Sequence, residues 1–276
     1  MNEITAIDRI SQPNTRFSLG GEFTRAGIFP GSTLLVHSSL SSLGWVCGGA
    51  VAVIQALMDV ISPEGTLVMP THSGDLSDPA KWQHPPVPES WWQPVRDSMP
   101  AYDPQYTPSR EMGTIPEVFR TMPGVIRSSH PALSFAAWGK NSKFVTGNHE
   151  LTYSLGEQSP LARVYELDGE VLLLGVGFGN NTSFHLSEVR ARGSNNEIQG
   201  APINVNGVRQ WVEYQDQAYD SDIFEQIGED FQRTGSVKQT QVAISTCRLF
   251  KQRAAVDFAV NWLEGQRGII PPVILR

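Results

Sequence analysis

The chain has little of what marks several common protein classes. It holds two cysteines, Cys47 and Cys247, too few for a disulfide framework and without C-x-x-C spacing, so a reducing, cytoplasmic setting is expected. No window approaches the length of a membrane-crossing helix. The opening MNEITAIDRI lacks the basic and apolar regions of a secretory signal, so the mature chain is expected to be the chain given. Internal repeats and low-complexity tracts are absent. So is a G-x-S-x-G elbow, which leaves the serines of HSSLSSLG poor candidates for a hydrolase nucleophile. GVGFGNN (175–181) starts like a dinucleotide fingerprint but puts Asn180 where its third glycine belongs, and reads better as a tight turn. Positive charge is also short. With 21 Lys and Arg against 28 Asp and Glu, the net charge of −7 disfavours nucleic acid and anionic membrane and favours a cationic partner.

What is present is an alternation of strand and helix signals over 276 residues. TLLVHSS (33–39) reads as a buried strand. Gly48-Gly49 open a helix with Val53, Ile54, Leu57, Met58 and Ile61 at helical spacing, Pro63 and Gly65 stop it, and GTLVMPTH (65–72) is a second β run. This βαβ pattern predicts an α/β fold with a central mixed sheet flanked by helices, in one domain over 1–276. Residues 73–108, rich in Pro, Trp and acid, are too long for a plain connection and too aromatic for a disordered linker, and read as an inserted functional loop. Thr114 and Glu117 have capping-box spacing. Further strands are expected at 131–139 and 170–178, and helices from Ser159-Pro160 to about Asp168 and at 184–192, 221–233 and 246–264, with a β-leaning stretch from Ala201 to Tyr214.

Three features could carry chemistry. The loop in LLVHSSLSSLGWVCGGAVAVIQA offers four serines, three glycines and no charge, which suits a ligand held by hydroxyls and backbone amides, or a long turn. Cys47, beside Val and Gly, is more plausibly small packing material than a nucleophile. In NTSFHLSEVR (181–190), His185 and Glu188 fall at i and i+3 on one helix face, the arrangement of a carboxylate-oriented general base, although spacing alone also fits a surface pair. His37 and His72 stand at strand ends without a recognisable metal-ligand spacing to His185.

Taken in order, HSSLSSLG, MPTHSGDLSDP, TPSREMGTIPEVFR, HPALSFAAWG, the FHLSE helix and DSDIFEQIGEDFQRTG resemble the aminoglycoside 3-N-acetyltransferases, from about Arg16 to Leu263. The resemblance implies an α/β fold distinct from the common N-acetyltransferase superfold, and acetyl transfer from acetyl-coenzyme A to the 3-amine of a deoxystreptamine ring, conferring antibiotic resistance. His72 stands in a block where the family often carries an aromatic, and 82–94 is Pro-rich. Both departures bear on substrate range.

The resemblance further implies His185 as the base, with Glu188 orienting it or touching the substrate amine. It places coenzyme A along Ser38, Ser39 and Leu40, beside Thr71, Thr107, Ser109 and Met112; the helix start at Gly48-Gly49 can take its phosphates, because helix N-termini attract anions. Thr71 or Ser39 would supply an oxyanion donor. Asp75, Asp78, Glu188, Asp220 and Asp222 are the expected carboxylate partners of a polycationic antibiotic. No metal is expected, and the protein is expected to be a monomer or homodimer. The alternatives are a metal-dependent hydrolase using His37, His72, His185 and Glu188, and a non-catalytic binder of a cationic metabolite.

Overall fold

The computed structural model describes residues 3–269, so the expected single domain over 1–276 extends past the described residues at both ends. Two helices lead, α1 (Glu3–Asp8) and α2 (Arg16–Ala26), the second opened by a reciprocal Thr15–Ser18 cap. Then β1 (Thr33–Ser38), α3 (Gly49–Ile61) and β2 (Thr66–Pro70) form the expected βαβ unit, β1 and β2 pairing in parallel. Residues 71–113 leave the sheet and carry only the short α4 (Trp92–Ser98) and two three-residue 3-10 turns.

The chain returns through α5 (Thr114–Phe119), β3 (Ile126–Arg127), β4 (Phe135–Gly139), α6 (Ser142–Thr146), α7 (Pro160–Glu166), β5 (Glu170–Leu174) and α8 (Ser183–Arg190). A two-stranded ribbon follows, β6 (Asn196–Val205) and β7 (Val208–Gln217), turned at Asn206-Gly207 with both residues at positive φ. The last elements are α9 (Phe224–Arg233), β8 (Lys238–Val242), β9 (Ser245–Lys251) and α10 (Gln252–Gln266).

The main sheet has the order β3-β4-β2-β1-β5-β9-β8, with β2, β1 and β5 parallel and the flanking strands antiparallel. One face packs α2, α3 and α5 around Leu34, Val36, Ile54 and Leu57. The other packs α6 to α10 around Leu35, Leu173, Phe184 and Phe250. The mixed α/β architecture read from the sequence is the one observed, because strands buried on both faces read as continuous apolar runs.

Several local expectations are corrected. Residues 246–264 do not form one helix: Ser245 to Lys251 is β9, whose alternation buries Ser245, Cys247 and Leu249 while it pairs with β5 and β8. β8 itself carried no expectation. The β-leaning stretch is longer than 201–214, and the 170–178 strand ends at Leu174, where Gly175 turns the chain at φ 70°. No capping box forms at Thr114, because Gly113 is the N-cap and Glu117 accepts instead from Ser109 and Arg120. Cys47, expected as packing material, is exposed.

Candidate active site

The neighbouring parallel strands β1 and β5 send their following helices to opposite faces, α3 to one core and α8 to the other. A crevice opens at the carboxyl ends of strands where the connection reverses in this way. His37 and Ser38 end β1 on one side of it. Gly175 to Asn181 and then α8 form the other.

His185 lies in the first turns of α8. Its Nδ1–H donates to Glu188 Oε2 at 2.6 Å, the tautomer following from the carboxylate being an acceptor only. Glu188 is 3% exposed, and its other oxygen accepts from the Asp220 backbone N–H at 2.9 Å. Tyr219 and Phe224 pack their rings on the imidazole at 4.8 and 4.6 Å. Orientation is thus fixed from three sides. The Nε2 lone pair is left for a ligand.

His185 lines a small cavity of about 180 Å³ with His37, Ser38, Thr182 and Phe224. Glu111 and Met112 line this cavity and also a larger cleft of about 510 Å³, bounded by His72, Asp75, Trp82, His84 and Arg110. His185 therefore sits where a narrow chamber meets a broad cleft. Two orphaned polar atoms face these spaces: Ser38 Oγ and His72 Nε2 are buried without a hydrogen-bond partner, although their residues line the chamber and the cleft respectively. Buried polar atoms are rarely left so, and a ligand can complete them.

The expected site residues divide by location. Ser38 and Met112 join His185 at the chamber, and Asp75 and Met112 line the cleft. Leu40 lines a separate cavity at the start of α3, with Glu3, Trp45 and Gly49. Ser39 shares a hydrogen bond with Ser41 at 3.2 Å and gives its N–H to Leu174. Thr71 is fully buried, its N–H given to Ser134 O and its hydroxyl engaged with Ser134 and Arg127. Thr107 Oγ1 accepts from the Asp103 N–H and Ser109 donates to Glu117. Asp78 is held by Arg96 at 2.7 Å and caps the turn at Pro79. Asp220 and Asp222 are exposed beside Ser221, which lines the chamber.

Sequence reasoning named His37 and His72 but missed His130 and His149, which gather with them. His37, His72, His130 and His149 are all buried. His130 and His149 stack at 4.9 Å, and His72 meets the Phe135 edge at 5.2 Å. Burial pushes His37 and His72 down to about 3 and His149 to about 4, and holds His130 well below its ordinary value. These imidazoles are neutral at physiological pH, so none repels a cation in the cleft. Arg127, also missed, is buried with its guanidinium bound to Thr71 O and Oγ1, Ser73 Oγ, Ser134 Oγ and Thr107 O. It ties together the two ends of the 73–108 segment. Among the described residues no three His, Cys, Asp or Glu side chains form a set able to hold a metal ion, so the hydrolase alternative lacks a ligand set. No described helix is long and apolar enough to cross a membrane.

Fold and site define an α/β enzyme with an oriented imidazole at a strand-end crevice. The sequence profile of the aminoglycoside 3-N-acetyltransferase family matches residues 35–264, and the chain belongs to that family. It is 48% identical over 257 residues to an SPbeta prophage-derived aminoglycoside N(3')-acetyltransferase-like protein of Bacillus subtilis, covering 93% of this chain and 94% of that one. It is 33% identical to aminoglycoside N(3)-acetyltransferase VII of Streptomyces paromomycinus, covering 97% and 98%. The crystal structure of the B. subtilis protein superposes with a TM-score of 0.94 at 46% identity, covering 95% of this chain and 98% of that one. An AAC-IIIb binary complex with CoASH does so with 0.82 at 30%, covering 92% and 98%, and AAC-VIa bound to sisomicin with 0.83 at 27%, covering 92% and 99%.

Proposed function

We propose that the chain transfers the acetyl group of acetyl-coenzyme A to the 3-amine of 2-deoxystreptamine aminoglycosides such as gentamicin, sisomicin or tobramycin, and so confers resistance to them. The observation that carries this reading is the Glu188-oriented imidazole at the junction of the narrow chamber and the broad cleft. Family membership, and relatives solved with CoASH and with sisomicin, support the choice of the two substrates.

An ammonium group has no lone pair with which to attack a thioester. His185 Nε2 takes a proton from the 3-ammonium, and the freed amine attacks the acetyl carbon directly. Glu188 stabilises the imidazolium that forms. The tetrahedral adduct collapses and the carbon–sulfur bond breaks. The proton on His185 passes to the leaving thiolate, and the second proton of the attacking nitrogen is lost to solvent, leaving a neutral amide, the coenzyme A thiol and one released proton. No acyl-enzyme is involved, because no serine or cysteine of the chamber is hydrogen-bonded to an imidazole: Ser38 Oγ has no partner, His185 Nδ1 is held by Glu188, and the contact of His37 is with Thr182 Oγ1 at 3.4 Å. Ser38 Oγ replaces Thr71 and Ser39 as the oxyanion donor, since the N–H groups of both are bonded within the fold. Asp75 and Glu111 attract the polycation into the cleft, with Trp82 as an apolar wall.

Thiol release measured with acetyl-coenzyme A and an aminoglycoside panel tests the reading. Release should require the antibiotic, mass spectrometry should show one added acetyl group, and NMR should place it on the 3-amine. Acetylation at the 2′- or 6′-amine would sink the regiochemistry, and antibiotic binding without thiol release would make the chain a binder.

A further inference from the structure

Of the two rings packed on His185, Phe224 is held by burial and Tyr219 is not. Phe224 is 1% exposed and meets Phe184 edge-on, ring centroids 5.4 Å apart, so core packing fixes it. Tyr219 is only half-buried, yet its ring stands against the imidazole at 4.8 Å and 65°. What holds it is its hydroxyl, which donates to Asp216 Oδ1 at 3.1 Å and accepts from the Leu155 N–H at 2.9 Å. Burial, with the Asp216 charge beside it, pushes the Tyr219 phenol above its ordinary range, so it remains the donor. Neither Tyr219 nor Asp216 lines the chamber or the cleft, so both act on the site from outside it.

Asp216 lies near the end of β7 and is 2% exposed. Its four hydrogen bonds come from neutral donors: the Ser154 and Gln217 N–H groups at 2.9 and 2.8 Å, the Ser154 hydroxyl at 2.5 Å and the Tyr219 hydroxyl. Burial pushes its carboxyl up from the ordinary value, and the donors gathered on it pull the other way. Ser154 is anchored in turn. Its carbonyl accepts from His149 Nε2–H at 2.6 Å, a tautomer that leaves His149 Nδ1 to accept from Ser128 Oγ at 2.9 Å. The tether on Tyr219 is therefore rooted in the buried histidines.

The same turn reaches the other half of the pair. Asp220, the residue after Tyr219, gives its N–H to Glu188 Oε1 at 2.9 Å. Residues 216–220 thus hold the imidazole through Tyr219 and its carboxylate partner through a backbone donor.

We propose that Asp216 and Tyr219 are positioning residues for acetyl transfer: Asp216 pins the Tyr219 hydroxyl, and the pinned turn sets the angle of His185 and the seat of Glu188. This rests on the reading of His185 as the base. The competing account is a structural tie between β7 and the loop at Ser154, which costs stability when cut but leaves turnover per folded molecule unchanged.

Steady-state kinetics of Tyr219→Phe, Asp216→Ala and Asp216→Asn, each alone and combined with His185→Ala, decides between the two, with rates expressed per folded molecule. Tyr219→Phe keeps the ring and removes the tether. It should lower kcat by roughly three- to tenfold with KM for both substrates within about twofold of wild type. Asp216→Ala should lower kcat by on the order of 10- to 100-fold, and Asp216→Asn, whose amide oxygen still accepts from Tyr219, should recover part of that loss. In the His185→Ala background the same changes should lower the residual rate no further, because the ring they orient is gone. If Asp216→Ala does not fold, Tyr219→Phe and Asp216→Asn carry the same test. Wild-type kcat in the folded single variants, or a loss as large without His185 as with it, overturns the positioning role and leaves His185 as the base. Near-normal turnover in His185→Ala alone overturns both.

Discussion

The His185 chamber and the broad cleft beside it share Glu111 and Met112 as a wall, yet they are built by different means. In the chamber, side chains project from the ends of β1 and β5 and from α8 and α9, so their spacing is set by sheet register and helix geometry. The cleft is bounded by an irregular segment held down by side-chain-to-backbone bonds: Arg127 at its two ends, and Arg209 bonded to the Met99 and Arg96 carbonyls from the ribbon. On the proposed function, the chemistry falls to the regular elements and substrate choice to the irregular segment. A change in the cleft is then expected to alter which antibiotic fits without displacing His185.

The largest effect should come from the chamber. His185→Ala should lower kcat by on the order of 10²–10⁴-fold while leaving coenzyme A binding and melting temperature nearly unchanged. Glu188→Gln should cost less, since the amide still holds the ring but no longer stabilises an imidazolium. Near-normal turnover in His185→Ala would make the pair structural and leave the chamber without a base.

How much of this was legible follows the same division. The elements of the βαβ unit, the β5 strand and the His185–Glu188 pair were readable because each follows the period of a single element. Even so, β9 was absorbed into the helix behind it, since STCRLFK runs directly into the apolar repeat of α10 and no Gly or Pro separates them. The spacing from Thr114 to Glu117 matched a capping box, but the carboxylate is taken by Ser109 and Arg120, partners that only the returning chain supplies. The four buried histidines and Arg127 are scattered through more than a hundred residues, and the topology alone brings them together.

An intermediate effect is expected at the clamp. Arg127→Met keeps much of the side-chain volume but takes the guanidinium donor from the Thr107 carbonyl and the charge-assisted bonds from Thr71, Ser73 and Ser134, which keep their bonds to one another and to Pro108 O, a loss on the order of 2–4 kcal/mol. The cost should be local. Limited proteolysis should cut first within 73–108, and KM for the antibiotic should rise more than KM for acetyl-coenzyme A. Global unfolding with no preference for that segment would show that the cleft is as integral to the fold as the chamber is, which would break the comparison.

The smallest and most discriminating effect lies between two aspartates three residues apart. Asp75 lines the cleft, whereas Asp78 is bound bidentately by Arg96 and caps the turn at Pro79. A carboxylate already paired with a guanidinium has little attraction left for an ammonium group, so proximity to the cleft is not enough. Asp75→Asn should raise KM for the antibiotic roughly three- to tenfold, the scale of one partly exposed ion pair, with acetyl-coenzyme A unaffected. That increase should shrink as salt is added, because the lost interaction is one that ions screen. Asp78→Asn should leave KM near the wild-type value and lower the melting temperature instead. Asp222, exposed beyond the chamber rim, should behave like a steering charge, with a change in KM below that of Asp75 and lost at high salt. Equal KM effects at Asp75 and Asp78 would mean that Arg96 releases its partner when the antibiotic arrives, and that the adjustable wall of the cleft extends as far as α4.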